Sequence, residues 1–138
     1  MRALLRTGFM LWIIVAWAAG TSTAQEGLTR RDTRGPVSVT VTLTAPPEAG
    51  VPVKARVVLD THSVGLDDIA LDQAVIMRNP DGTDLAPTAV EQAQGGSHHR
   101  QAVMVFPPLA SAGPLKIVVR NVGGVAERSF VWELTPAR

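Results

Sequence analysis

All three histidines of this 138-residue chain fall in two short polar stretches. His62 lies in Leu59-Asp60-Thr61-His62-Ser63, and His98 and His99 lie in Gly95-Gly96-Ser97-His98-His99-Arg100. Neutral imidazole is a common ligand for copper, zinc and nickel, and two or three imidazoles with a carboxylate satisfy a zinc or copper(II) centre. His62, His98 and His99 are therefore candidate metal ligands, with Asp60 or Asp68 as a further ligand or as the partner that orients one. Gly95-Gly96 would let the backbone fold closely round an ion. His98 and His99 are neighbours, and neighbours in extended chain point to opposite sides, so both reach one ion only where the backbone bends.

The same residues also have a purely structural use. His62 and Ser63 can bond to turn backbone, while Asp60 or Asp68 pairs with Arg100. Catalysis has less to stand on. Ser63 and Ser97 sit beside histidines, but adjacent residues rarely align a nucleophile with its base, and no strained nucleophile turn is present. There is no phosphate loop and no dinucleotide fingerprint. A small hydrolase ranks behind a non-enzymatic role.

Whether the two histidine stretches meet depends on the elements between them. Val37, Val39, Val41 and Leu43 alternate with Ser38, Thr40 and Thr42, the period of a half-buried strand. Ala45-Pro46-Pro47-Glu48-Ala49-Gly50 breaks it. Val51, Val53, Ala55, Val57 and Leu59 form the next inward set, and Pro52 suits a strand that starts at a sheet edge. A loop from Asp60 to Asp72 follows, with Leu66, Ile69 and Leu71 available to pin it. Ala74–Arg78 reads as a third strand, stopped by Asn79-Pro80-Asp81-Gly82. Leu85–Glu91 reads as a weaker fourth and Gln94–His99 as a loop. Gln101–Phe106 is a fifth strand. Leu115, Ile117 and Val119 mark a sixth, and Phe130, Trp132 and Leu134 a seventh, with Gly123-Gly124 turning between them. Trp132 alternates with Phe130 and Leu134, and Met104 with Ala102 and Phe106, as core residues do. Met77 falls at the far end of its strand and is no ligand.

About seven short strands with turn signals at this spacing predict an all-β antiparallel sandwich of the immunoglobulin or fibronectin type III kind. If successive strands alternate in direction, the end of the second strand, the start of the fifth and the turn between the last two share one end of the domain. That is where the histidines would converge.

The first 24 residues differ from the rest. Arg2 and Arg6 precede an apolar run from Phe9 through Ala19, and Ser22-Thr23-Ala24 closes it with small residues. Positive, then apolar, then small is the pattern of a secretory signal peptide cut after Ala24. The run is shorter than the roughly 20 residues that span a bilayer. Residues 25–36 are polar and read as a flexible leader, and residues 37–136 as the sandwich domain. Loss of Arg2 and Arg6, with no acidic residue, turns the formal charge from +1 to −1. No basic patch with interleaved aromatics remains, so nucleic acid is not an expected partner. After cleavage no apolar stretch is long enough to cross a membrane. The chain has no cysteine. Disulfides, thiolate chemistry, iron–sulfur clusters and a cysteine-ligated blue-copper site are excluded, and stability must come from the core.

Asp60-Thr61-His62-Ser63, Gly95-Gly96 with His98-His99-Arg100, and Val122-Gly123-Gly124 with Phe130-Val131-Trp132 resemble a group of small exported bacterial β-sandwich proteins. The likeness runs from the first histidine loop to the last strand. In this chain Ser97 separates the glycine pair from the histidine pair. The resemblance implies export and a sandwich fold, and implies no activity. The expectation is a periplasmic or secreted sandwich that binds copper or zinc at one end. The alternative is an interaction or assembly module of the cell envelope whose loops contact another protein. Oligomeric state is not readable from the sequence.

Overall fold

The period-two alternation decides most of the strands. The computed structural model describes residues 27–134. The strands are β1 (Thr29–Asp32), β2 (Val37–Leu43), β3 (Val53–Thr61), β4 (Val75–Arg78), β5 (Asp84–Leu85), β6 (Ala89–Gly95), β7 (His99–Phe106), β8 (Leu115–Val122) and β9 (Val125–Trp132). A four-residue helix, α1 (Leu71–Ala74), precedes β4. Every pairing is antiparallel. One sheet has five strands in the order β1-β2-β3-β7-β6, and the other has four in the order β5-β4-β8-β9. The proposed signal peptide and its cleavage site lie outside the described residues.

The two sheets face each other across one core, because each strand carries its apolar residues on one side. Val37, Val39, Val41 and Leu43 of β2 and Ala55, Val57 and Leu59 of β3 meet Met77, Ile117, Val119 and Phe130 from the opposite sheet. Trp132, Phe106 and Phe130 are its largest apolar members. Burying a side chain of that size stabilises by roughly 1.5–3 kcal/mol. With no disulfide, this burial carries the fold.

Three elements differ from the pattern read in the sequence, each at a sheet edge or corner. Residues 29–32 form β1 rather than part of a leader. Thr-Arg-Arg-Asp has no apolar alternation, and the pairing with β2 supplies the order, Thr29 opposite Thr42 and Asp32 opposite Val39. The expected fourth strand, Leu85–Glu91, is divided between the sheets. Pro87 lacks the N–H that a ladder needs, so the chain leaves β5 there and resumes as β6 in the other sheet. Half of the expected loop Gln94–His99 is strand, Gln94 and Gly95 ending β6 and His99 starting β7, with a tip of Gly96–His98 closed by Gly96 N–H donating to His99 O at 2.7 Å.

β1 also closes one side of the sandwich. The indole N–H of Trp132 donates to Leu28 O at 3.2 Å, and the Arg30 guanidinium lies 5.4 Å from the Trp132 ring. Arg128 faces inward beneath β1 and is fully buried. Its Nη2 donates to Arg34 O at 2.6 Å, and its Nε is 3.8 Å from Asp32 Oδ1. Burial lowers its pKa, opposed by the Asp32 charge. Nε and Nη1 have no hydrogen-bond partner among the described residues.

On the outer face of the four-stranded sheet an ion network covers apolar residues. Arg78 donates to Asp84 at 2.6 and 3.1 Å and to Glu127 at 2.6 and 3.2 Å, and Arg120 approaches Asp84 at 3.5 Å. Ile76 and Val118 point to this same face yet are 3% and 0% exposed. The Arg78 hydrogen bonds hold Asp84 and Glu127 below their ordinary values of 3.8 and 4.5. A carboxylate with a depressed folded-state pKa stabilises above its unfolded value and loses that contribution as pH falls through the folded one. Stability should therefore decline from about pH 4.5 downward, and Arg78→Gln should make that decline shallower. Urea midpoints measured from pH 7 to pH 2.5 check both slopes; parallel slopes for the two proteins would show that the network does not couple to folding.

Candidate functional site

The antiparallel course of β3 and β7 sets Asp60 opposite His99. His99 Nδ1 and Asp60 Oδ1 are 2.5 Å apart on the outer face of the five-stranded sheet, both side chains about half exposed. With the Nδ1 proton directed at the carboxylate, Nε2 is left as the acceptor facing solvent.

The two histidine stretches are joined by backbone. Thr61 N–H donates to His98 O at 3.0 Å, and Leu66 N–H donates to Ser97 O at 2.9 Å. Arg100 Nη1 donates to Leu66 O and Ile69 O at 2.9 and 2.5 Å. Leu66 is fully buried and pins the middle of the 62–70 loop. Thr61 is buried as well. Its hydroxyl donates to Pro36 O at 2.9 Å and accepts from the N–H groups of Ser63 and Val64 at 3.3 Å. The expected hydrogen-bonding role of His62 and Ser63 side chains in the turn is thus taken by Thr61. The expected pairing of Asp60 or Asp68 with Arg100 is replaced by Arg100 on backbone carbonyls.

Of the five candidate ligands, Asp60 and His99 meet. His62 and His98 are exposed. His98 precedes His99 at the strand start, so its side chain leaves on another side. Asp68 lies apart from them, where it lines a different feature. Among the described residues no group of three or more histidine, aspartate or glutamate side chains is placed to hold one metal ion.

That other feature is an open depression of about 490 Å³ between the 68–74 segment and the end of β8. Asp68, Gln73, Arg120 and Asn121 supply its polar wall, and Ile69 and Ala74 its apolar part. Asn121 holds a left-handed backbone, φ 55°, just before the Gly123-Gly124 turn, where φ is 60° and 74°. Both turn glycines at positive φ match the twist of a tight hairpin. Gly123 packs so closely against Val37 of β2 that a side chain there would clash. Arg120, Asn121 and Gln73 were not singled out from sequence. The available signal was Asn-x-Gly-Gly, which marks a turn and a left-handed asparagine at once.

The 61–70 loop, the 96–98 tip and the 123–124 turn therefore occupy one end of the domain. Comparison with known protein families, curated proteins and solved structures finds no match.

Proposed function

We propose that this chain is an exported, immunoglobulin-like binding module, periplasmic or secreted, that contacts another protein of the cell envelope through its loop end and performs no catalysis. The strand order supports the immunoglobulin-like reading. With β2 as strand A, the order β2-β3-β7-β6 against β4-β8-β9 is that of A-B-E-D against C-F-G, with β5 added beside C and β1 beside A. In that scheme the B–C, D–E and F–G loops lie together, the end that immunoglobulin-type domains use for recognition. The observation that carries the proposal is the stitching of the first two loops by backbone hydrogen bonds, Thr61 to His98 and Leu66 to Ser97. A binding surface made of loops needs such rigidity, because each residue ordered on association costs free energy.

One observation favours a second reading, a copper or zinc site. A carboxylate on one imidazole nitrogen is the arrangement that orients a metal-ligating histidine, and Asp60 stands so to His99. The remaining ligands would then come from outside the group that this chain assembles.

A photoreactive amino acid in place of Ser97, His62 or Ser129 separates these readings in cells that express the chain. One discrete adduct from positions 97 and 62, absent from 129 on the outer face of the other sheet and resistant to chelator, is the expected result. Equal labelling at all three positions, or none, removes the module reading. An adduct abolished by chelator replaces it with the metal reading.

A further inference from the structure

We infer that the depression between α1 and the end of β8 takes an acidic peptide segment, with Arg120 receiving its carboxylate. The inference rests on the module reading above and gives its partner a chemistry. Four polar side chains converge there, Asp68, Gln73, Arg120 and Asn121. Among the described residues none of them makes a side-chain hydrogen bond, and the one ion pair is Arg120 with Asp84 at 3.5 Å. Asp84 is already held by Arg78 at 2.6 Å, so Arg120 is the cation of that network with most capacity left.

The types present select the ligand. A guanidinium presents a fork of donors matched to a carboxylate. Gln73 and Asn121 each carry both a donor and an acceptor, the complement of a peptide group. Asp68 accepts, which suits a peptide N–H. Ile69 and Ala74 offer apolar contact of the size of a small side chain. The depression is open to solvent, so a peptide segment can enter it from the surface. Phosphate or sulfate would leave the acceptors at Asp68, Gln73 and Asn121 unused.

The second observation is the backbone at Asn121. A residue with a side chain at φ 55° is uncommon, and such conformations persist where the surroundings hold them. Here it sets the asparagine amide beside Arg120 on the wall of the depression.

The test is a heteronuclear NMR titration of the whole protein with the N-acetylated, C-amidated peptides Ala-Ala-Glu-Ala-Ala and Ala-Ala-Gln-Ala-Ala. The glutamate peptide should shift the amides of 68–74 and 120–121 and bind at least tenfold more tightly than the glutamine peptide. Arg120→Gln should abolish that preference. Asn121→Gly keeps the left-handed turn without the side-chain amide, so it should weaken binding several-fold in a fully folded protein. Equal binding of the two peptides, shifts located elsewhere or no saturable shifts overturn the inference. Shifts confined to 61–66 and 96–99 would do so while leaving the module reading in place. Loss of the cross-linked adduct described above is what would remove that reading itself.

Discussion

Arg128→Ala should cost about 2–5 kcal/mol of folding stability, the range for truncating a large buried side chain to alanine, whereas Arg128→Met should cost less than about 1 kcal/mol or stabilise the protein. The guanidinium is fully buried, so its truncation opens a void and strands the Arg34 carbonyl that Nη2 serves at 2.6 Å. It does not strand Asp32, whose carboxylate keeps the Arg34 side chain at 2.6 Å. Methionine refills most of the volume and removes two buried donors, Nε and Nη1, that have no partner among the described residues. An unpartnered buried donor costs roughly 1–3 kcal/mol. Urea unfolding of the three proteins at neutral pH reads the difference. A methionine variant as unstable as the alanine variant would show that the charge itself holds β1 in place.

Gly95→Ala should destabilise by about 2–4 kcal/mol, the cost of strained backbone with a displaced neighbour. Gly95 has φ 107°, and an added Cβ would lie against the His99 carbonyl oxygen. That oxygen closes the tip by accepting from Gly96 N–H. The substitution should therefore open the hairpin and release Thr61 and Leu66 N–H from His98 and Ser97. Hydrogen exchange at those two amides should accelerate more than in the core strands. Gly96→Ala is the control, since a Cβ there meets nothing within 4 Å. The cross-linked adduct should survive in the second variant and be lost in the first. Unchanged protection of Thr61 and Leu66 in Gly95→Ala would show that the two loops are held by something other than the tip.

The strands that bury one face were legible, because alternation reports which side is dry. Val37–Leu43, Val53–Leu59 and Phe130–Trp132 all follow it. β1 escaped, and β6 was legible only over Ala89–Glu91, because an edge strand with little to bury carries no such pattern. β6 adds a bulge between Glu91 and Gln94, with Gln92 at φ 51°, which breaks even the polar repeat. Arg128 could have been found. It lies in phase with Phe130 and Trp132, so the alternation placed it inward, against the usual expectation for a charge. Strand reversal was enough to bring the stretches that carry Asp60 and His99 to one end of the domain, but the register that sets these two residues opposite each other was not legible. Leu66 was legible as an apolar anchor for the 62–70 loop, but the path of that loop was not foreseeable, because it is also set by Arg100 gripping two carbonyls, which has no local sequence signal.

The bond from Trp132 to Leu28 joins residues 104 apart in the chain. A polypeptide is made and handed over from its amino end. The earliest ordered strand must then wait for the latest one before its side of the sandwich is shut. The carboxyl-terminal hairpin supplies Ile117, Val119, Phe130 and Trp132 to the core that the Val-rich inner face of β2 and β3 shares. That side of the sandwich thus depends on residues far apart in the chain, and a chain cut before Val125 lacks both the indole and the guanidinium that receive Leu28 and β1.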